Sequence, residues 1–246
     1  MGDSRLVDVR KVKLGPLKCY LEAKDFLGDQ YWLFLGIYFV SFLIAGLVPI
    51  LLIGPAFAGL SICLLAKANN QRVEFEHMFK GFDYFGPSLI ATLIYAAATM
   101  VLVFPFIVGA IGGMALIGSQ EPALVIPGIL IMVAAFVYWA LVASIAMLYL
   151  MFAILLIVDK KMDPWPASML ALKGISRNLM GVIGTTAVGQ LIYLVGCMMC
   201  LIPGILALPI IVTGHFIAYW KIYGVEASSV VAPKPMVGDA QGQQKY

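Results

Sequence analysis

Residues 31–66 read YWLFLGIYFVSFLIAGLVPILLIGPAFAGLSICLLA, thirty-six residues without one charged side chain. A helix needs about 20 apolar residues to cross about 30 Å of hydrocarbon, so this run is tight for two crossings. Pro49 and Pro55 argue against one very long helix, because each removes a backbone donor and clashes with the preceding turn. The stretch therefore predicts a membrane hairpin, with either two short spans or a second span that is partly re-entrant.

Two further apolar blocks follow, 85–158 and 179–223. The turn of the second block is expected near Gly118-Ser119-Gln120-Glu121-Pro122. Its arms exceed one span, and Pro105, Gly109, Gly112 and Gly113 are expected to kink or end the first. The turn of the third is the apolar run from Cys197 to Gly204. All sixteen Lys and Arg residues fall in 1–30, 66–83, 159–178 and 221–246, at the borders of these blocks. Lys and Arg in short loops stay on the cytoplasmic side. The pattern predicts an all-α integral membrane protein of six spans in three hairpins. Both termini are placed inside, in a bacterial inner membrane. The expected organisation is a cytoplasmic segment 1–30, one membrane domain 31–224 and a disordered tail 225–246.

The composition agrees. The chain is 62% apolar and 12% charged, against about 45–50% and about 25% in soluble domains. The net charge of +3 is too small to argue for nucleic acid, and the basic residues sit where anionic headgroups account for them. The first apolar stretch follows about thirty mixed-charge residues and lacks the form of a cleavable signal, so the first span is expected to stay as an anchor. Four cysteines, Cys19, Cys63, Cys197 and Cys200, are too few and too scattered for a disulfide scaffold.

Each hairpin is preceded by a stretch with helical spacing of apolar residues. In 72–85 these are Phe75, Met78, Phe79, Phe82 and Phe85. In 163–180 they are Trp165, Met169, Leu172, Ile175 and Leu179, with Asp163 placed to cap and Pro164 in the first turn. In 16–31 they are Leu17, Tyr20, Leu21, Leu27 and Tyr31. Such helices lie in the headgroup plane or pack on the protein's own cytoplasmic face. Phe75, Phe79, Phe82, Trp165, Met169 and Leu172 are the expected interfacial residues.

The stretch from Asp159 to Met180, with Pro164, Ala167 and Ser168, and the later Gly196, Ile202-Pro203-Gly204, Pro209 and Ala218-Tyr219 carry a resemblance. They resemble the closing segment of a broad group of uncharacterised bacterial polytopic inner-membrane proteins with repeated transmembrane hairpins. The resemblance covers the last third of the chain and implies an all-helical membrane protein. It carries over no catalytic residues.

Little in the chain points to chemistry. Cys197-Met198-Met199-Cys200 could form a redox pair or hold a soft metal such as Cu(I). Against that, no Lys, Arg or His stands nearby, and Cys and Met also fill apolar space. His215, inside the last span, is a candidate intramembrane polar site. Gln190, Tyr193 or a backbone carbonyl are its candidate partners. Small residues such as Gly109, Gly112, Gly113, Gly181, Gly184 and Gly189 allow close helix contact within one chain or between subunits. No cofactor and no enzymatic activity are expected. The expected partners are the lipid bilayer and further copies or other membrane subunits, in a structural or accessory role. A small-solute transporter or channel, built on broken helices near Pro49 and Pro105, is the alternative. A thiol-redox or copper-handling protein ranks third.

Overall fold

The computed structural model describes residues 9–119, 121–199 and 202–224. Every regular element among them is helical: α1 Pro16–Leu27, α2 Tyr31–Leu47, α3 Pro49–Ala68, α4 Phe85–Leu102, α5 Phe104–Ile117, α6 Pro122–Lys160, α7 Pro164–Arg177, α8 Leu179–Met198 and α9 Ile202–Tyr223. Short 3-10 segments cover Gly28–Gln30 and Phe75–Tyr84. Among the described residues, six helical stretches are long and apolar enough to cross a membrane.

Proline sets several of the starts. Pro16, Pro49, Pro105, Pro122 and Pro164 each stand at the first or second position of a helix. There the amide has no intrahelical partner to lose, and the fixed φ is already helical. Pro49 separates α2 from α3 as expected. Pro55 does not break the chain but continues inside α3. The kink expected in the first arm of the second block falls between α4 and α5, just before Pro105. Asp163 occupies the N-cap of α7, yet its side chain makes no capping bond. The expected helix over 72–85 is a 3-10 segment whose first turn closes on Glu74 and His77, with the Glu74 amide donating to His77 Nδ1 at 3.2 Å.

The core lies at one end of the molecule. Residues 58–66 of α3 and 150–159 of α6 are buried without interruption, and most of the last third of α9 joins them. Phe152 meets Tyr219 and Tyr223 at ring-centroid distances of 5.7 and 5.9 Å, and Tyr219 meets Tyr223 at 5.0 Å. Each such aromatic pair adds about 0.5–1.5 kcal/mol beyond its buried area. α1, the 75–84 segment, α7 and the extended residues 9–14 wrap this core. The opposite ends of α2, α6, α8 and α9, and nearly all of α4 and α5, expose large apolar side chains.

Close backbone contacts lock the wrapping elements down. Gly81 lies against the Gly59 amide and the Pro55 carbonyl of α3, so neither glycine has room for a Cβ. α5 and α6 run antiparallel, with Gly109 on Ala135 and Gly113 on Gly128. At the other end of α8, Gly196 touches Gly204. The small residues that the sequence offers for contact are thus largely used inside one chain. Gly112 differs: a Cβ there would meet nothing within 4 Å.

Candidate functional site

The richest polar node joins the N-terminal segment to the last two helices. Leu14 and Pro16 sit over Gly181 and Gly184 of α8, while Tyr20 sits over Gly189 and Gly214 of α9. The Tyr20 hydroxyl donates to the Thr185 carbonyl at 2.5 Å and lies 3.4 Å from His215 Nε2. The hydroxyl has one proton and the carbonyl only accepts, so Nε2–H is the donor in the histidine contact. Tyr38 Oη and Thr213 Oγ1 are 3.2 Å apart, and Tyr31 Oη donates to the Leu206 carbonyl. His215 is therefore held by a phenol 195 positions away in the chain. Gln190, the other candidate of the intramembrane site, points elsewhere, contacting Ser144 and the Ala140 carbonyl on α6. The two are not brought together.

A second node closes the wrapped end. Asn178 Oδ1 accepts from the Val12 amide at 2.8 Å, and its Nδ2 donates to the carbonyls of Arg10 and Gly174, both at 3.0 Å. Arg177 donates to the Val9 carbonyl at 3.1 Å. Nearby, the Tyr219 hydroxyl donates to the buried Asp159 carboxylate at 3.0 Å, with the Lys160 ammonium 3.5 Å from the same oxygen. The aspartate belongs to the polar border in sequence but is inside the core in space. A buried carboxylate needs a donor and a counter-charge, and both are here.

The third feature is a cavity of about 370 Å³ between α4, α6 and α7. Ile94, Thr99, Leu102, Val142, Tyr149 and Trp165 are among its walls. Its volume falls within the roughly 300–1,000 Å³ of ligand pockets. Ser168 also lines it, is 3% exposed and has a hydroxyl without a hydrogen-bond partner among the described residues. Leu102 places the cavity beside the break between α4 and α5.

The expected interfacial residues sit on the wrapping elements, facing outward. Phe75, Phe79 and Phe82 are partly exposed, while Met78 and Gly81 bind α3. On α7, Trp165, Met169 and Leu172 are more than half exposed, while Ala167, Ser168, Ala171 and Gly174 face the bundle. On α1, Leu17 and Leu21 point outward, and the packing face is Cys19, Tyr20, Ala23 and Leu27. Small residues take the inner faces because they let the backbones approach; the bulky apolar ones are left exposed.

Cys197 is a free, partly exposed thiol near the end of α8. Cys200 lies outside the described residues, as does the tail 225–246. Among the described residues no group of three or more His, Cys, Asp or Glu side chains could hold a metal ion. No family model matches the chain, and neither a curated protein nor a solved structure matches it.

Proposed function

We propose that this chain is a non-catalytic integral membrane protein. It acts as a structural or accessory subunit of a larger membrane assembly, or as a self-associating scaffold. In this reading its helices form three hairpins, over 31–66, 85–158 and 179–223. The basic borders and both termini face the cytoplasm of a bacterial cell, and α1, the 75–84 segment and α7 lie at the interface.

The observation that carries the reading is the arm made by α4, α5 and the first two-thirds of α6. Met100, Val101, Phe104, Ile111, Met114, Ile126 and Leu130 are each more than 60% exposed on it. Large exposed apolar patches mark membrane or protein contact sites. Gly112, with open space over it, offers a point of close helix approach to a neighbour. The test is an Ile111→Cys variant crosslinked in native membranes, with adducts identified by mass spectrometry. A discrete adduct with a second copy or another membrane protein is expected. A lone monomer under mild crosslinking of the arm would refute it.

The cavity beside the α4–α5 break favours a second reading, a transporter or channel for an apolar or weakly polar solute. Broken helices form the sites of many transporters, and Ser168 brings to this one a hydroxyl without a partner among the described residues. Loss of solute flux on filling the cavity by Ala98→Phe would support it. Unchanged flux in that variant would remove it.

A further inference from the structure

Length alone admits six crossings, but each helix pair is clasped partway along by a charged element, and the length beyond the clasp differs from pair to pair. The 75–84 segment carries Glu76, Lys80 and Asp83, all exposed, and packs through Gly81 on Pro55 and Gly59. From there to the tip of α3 at Pro49 is six to ten residues, about 9–15 Å at about 1.5 Å per residue. α1 carries exposed Lys18 and Glu22 on either side of Tyr20, which packs on Gly189 and Gly214. From Gly189 to Met198 is about 14 Å, and from Gly214 back to Ile202 about 18 Å. α7 carries exposed Lys173 and Arg177, and its cavity-lining face stands across the cavity from Val142, Ile145, Ala146 and Tyr149 of α6. From those residues back to Pro122 is about 30–40 Å. The hydrocarbon core is about 30 Å thick. One pair is long enough beyond its clasp to cross; the other two reach about halfway.

The tips differ in the same sense. At the tip of the long pair stand Gly118, Ser119 and Glu121. The α2–α3 turn is Leu47, Val48, Pro49 and Ile50, and near the other short tip stand Met198, Met199 and Ile202, all apolar and exposed. An apolar tip in water would expose that surface at a cost of about 25 cal/mol per Å². Backbone at membrane depth must also be satisfied internally. At the first turn, Leu51 and Leu52 amides both donate to the Val48 carbonyl.

We infer that α2–α3 and α8–α9 are re-entrant wedges confined to the leaflet on the charged side, and that only the long pair, α4–α5 with α6, crosses the bilayer. Six helical legs then occupy one leaflet and two the other. Expanding one leaflet favours a bilayer curved with that leaflet convex, as for other one-sided insertions. The lipid partner that fits this surface is a curved membrane. The inference goes beyond the assembly reading, because insertion depth is a property of the single chain.

The test places nitroxides at Val48→Cys, Met199→Cys and Glu121→Cys in a Cys197→Ala, Cys200→Ala background. Cys19 and Cys63 are fully buried and remain. Reconstituted in vesicles, positions 48 and 199 are expected to relax with oxygen and be shielded from a water-soluble nickel chelate, and position 121 to show the reverse. Nickel accessibility at 48 or 199 equal to that at 121 overturns the inference. The unmodified chain provides a second readout: severalfold enrichment in small over large vesicles of one lipid composition is expected, and equal partition overturns the curvature preference.

Discussion

Replacing Gly81 with alanine tests the clasp between the 75–84 segment and α3. A Cβ at Gly81 would stand 2.6 Å from Gly59 Cα and press on the Pro55 carbonyl oxygen and the Gly59 amide nitrogen. Carbon atoms in contact sit at about 3.5–4.0 Å, so the segment must retreat by about 1 Å from rigid helical backbone. Overpacking of this kind costs about 1–3 kcal/mol. Retreat also lifts Met78, which is 2% exposed, off the buried run 58–66. Losing a large part of that burial adds about 1.5–3 kcal/mol. The sum is roughly 2.5–6 kcal/mol, and for a chain of this length each kcal/mol moves Tm by about 2–4 °C. Gly112→Ala is the control, since nothing stands within 4 Å of its Cβ and alanine gains about 1 kcal/mol in helix propensity. The assay is a thermal scan in lipid nanodiscs with a thiol-reactive dye, in the background lacking Cys197 and Cys200, so that the signal reports exposure of Cys19 and Cys63. Gly81→Ala is expected to melt well below wild type and Gly112→Ala at or above it. Equal melting of the two variants would refute the clasp.

Asn178→Ala removes the two side-chain hydrogen bonds, from the Val12 amide and to the Arg10 carbonyl, that tie down the N-terminal segment; limited trypsin digestion should then cut at Arg10, Lys11 and Lys13 at least tenfold faster, whereas unchanged cleavage would show that the segment is held elsewhere. Tyr20→Phe keeps the ring on Gly189 and Gly214 but loses the bond to Thr185, at about 1 kcal/mol; Tyr20→Ala also opens a cavity, at about 3–5 kcal/mol, and equal melting temperatures for the two would contradict the packing role. Ser168→Ala deletes a buried hydroxyl without a partner among the described residues, so stability in lipid should stay level or rise by up to about 1 kcal/mol; a clear loss would mean that the hydroxyl is bonded in the membrane.

The sequence by itself determined the class and the borders. Long runs free of charge can be stable only in lipid as hydrogen-bonded helices, and Lys and Arg mark where they stop, so the six apolar stretches were legible from composition alone. Prolines at helix starts were legible for the same local reason. Other features depended on which elements meet. Pro55 stays helical within α3, where the backbones of the 75–84 segment and α3 meet. His215 takes Tyr20 rather than Gln190, because α1 lies in the groove that Gly181, Gly184 and Gly189 open on α8; that glycine spacing was visible, but not its occupant. Asp159 looks like a border charge and is core, because Tyr219 returns to it from α9. Insertion depth is the largest case. Hydropathy counts apolar residues without knowing which are covered by protein, and only the packing of α1, the 75–84 segment and α7 shows how much of each helix is left uncovered.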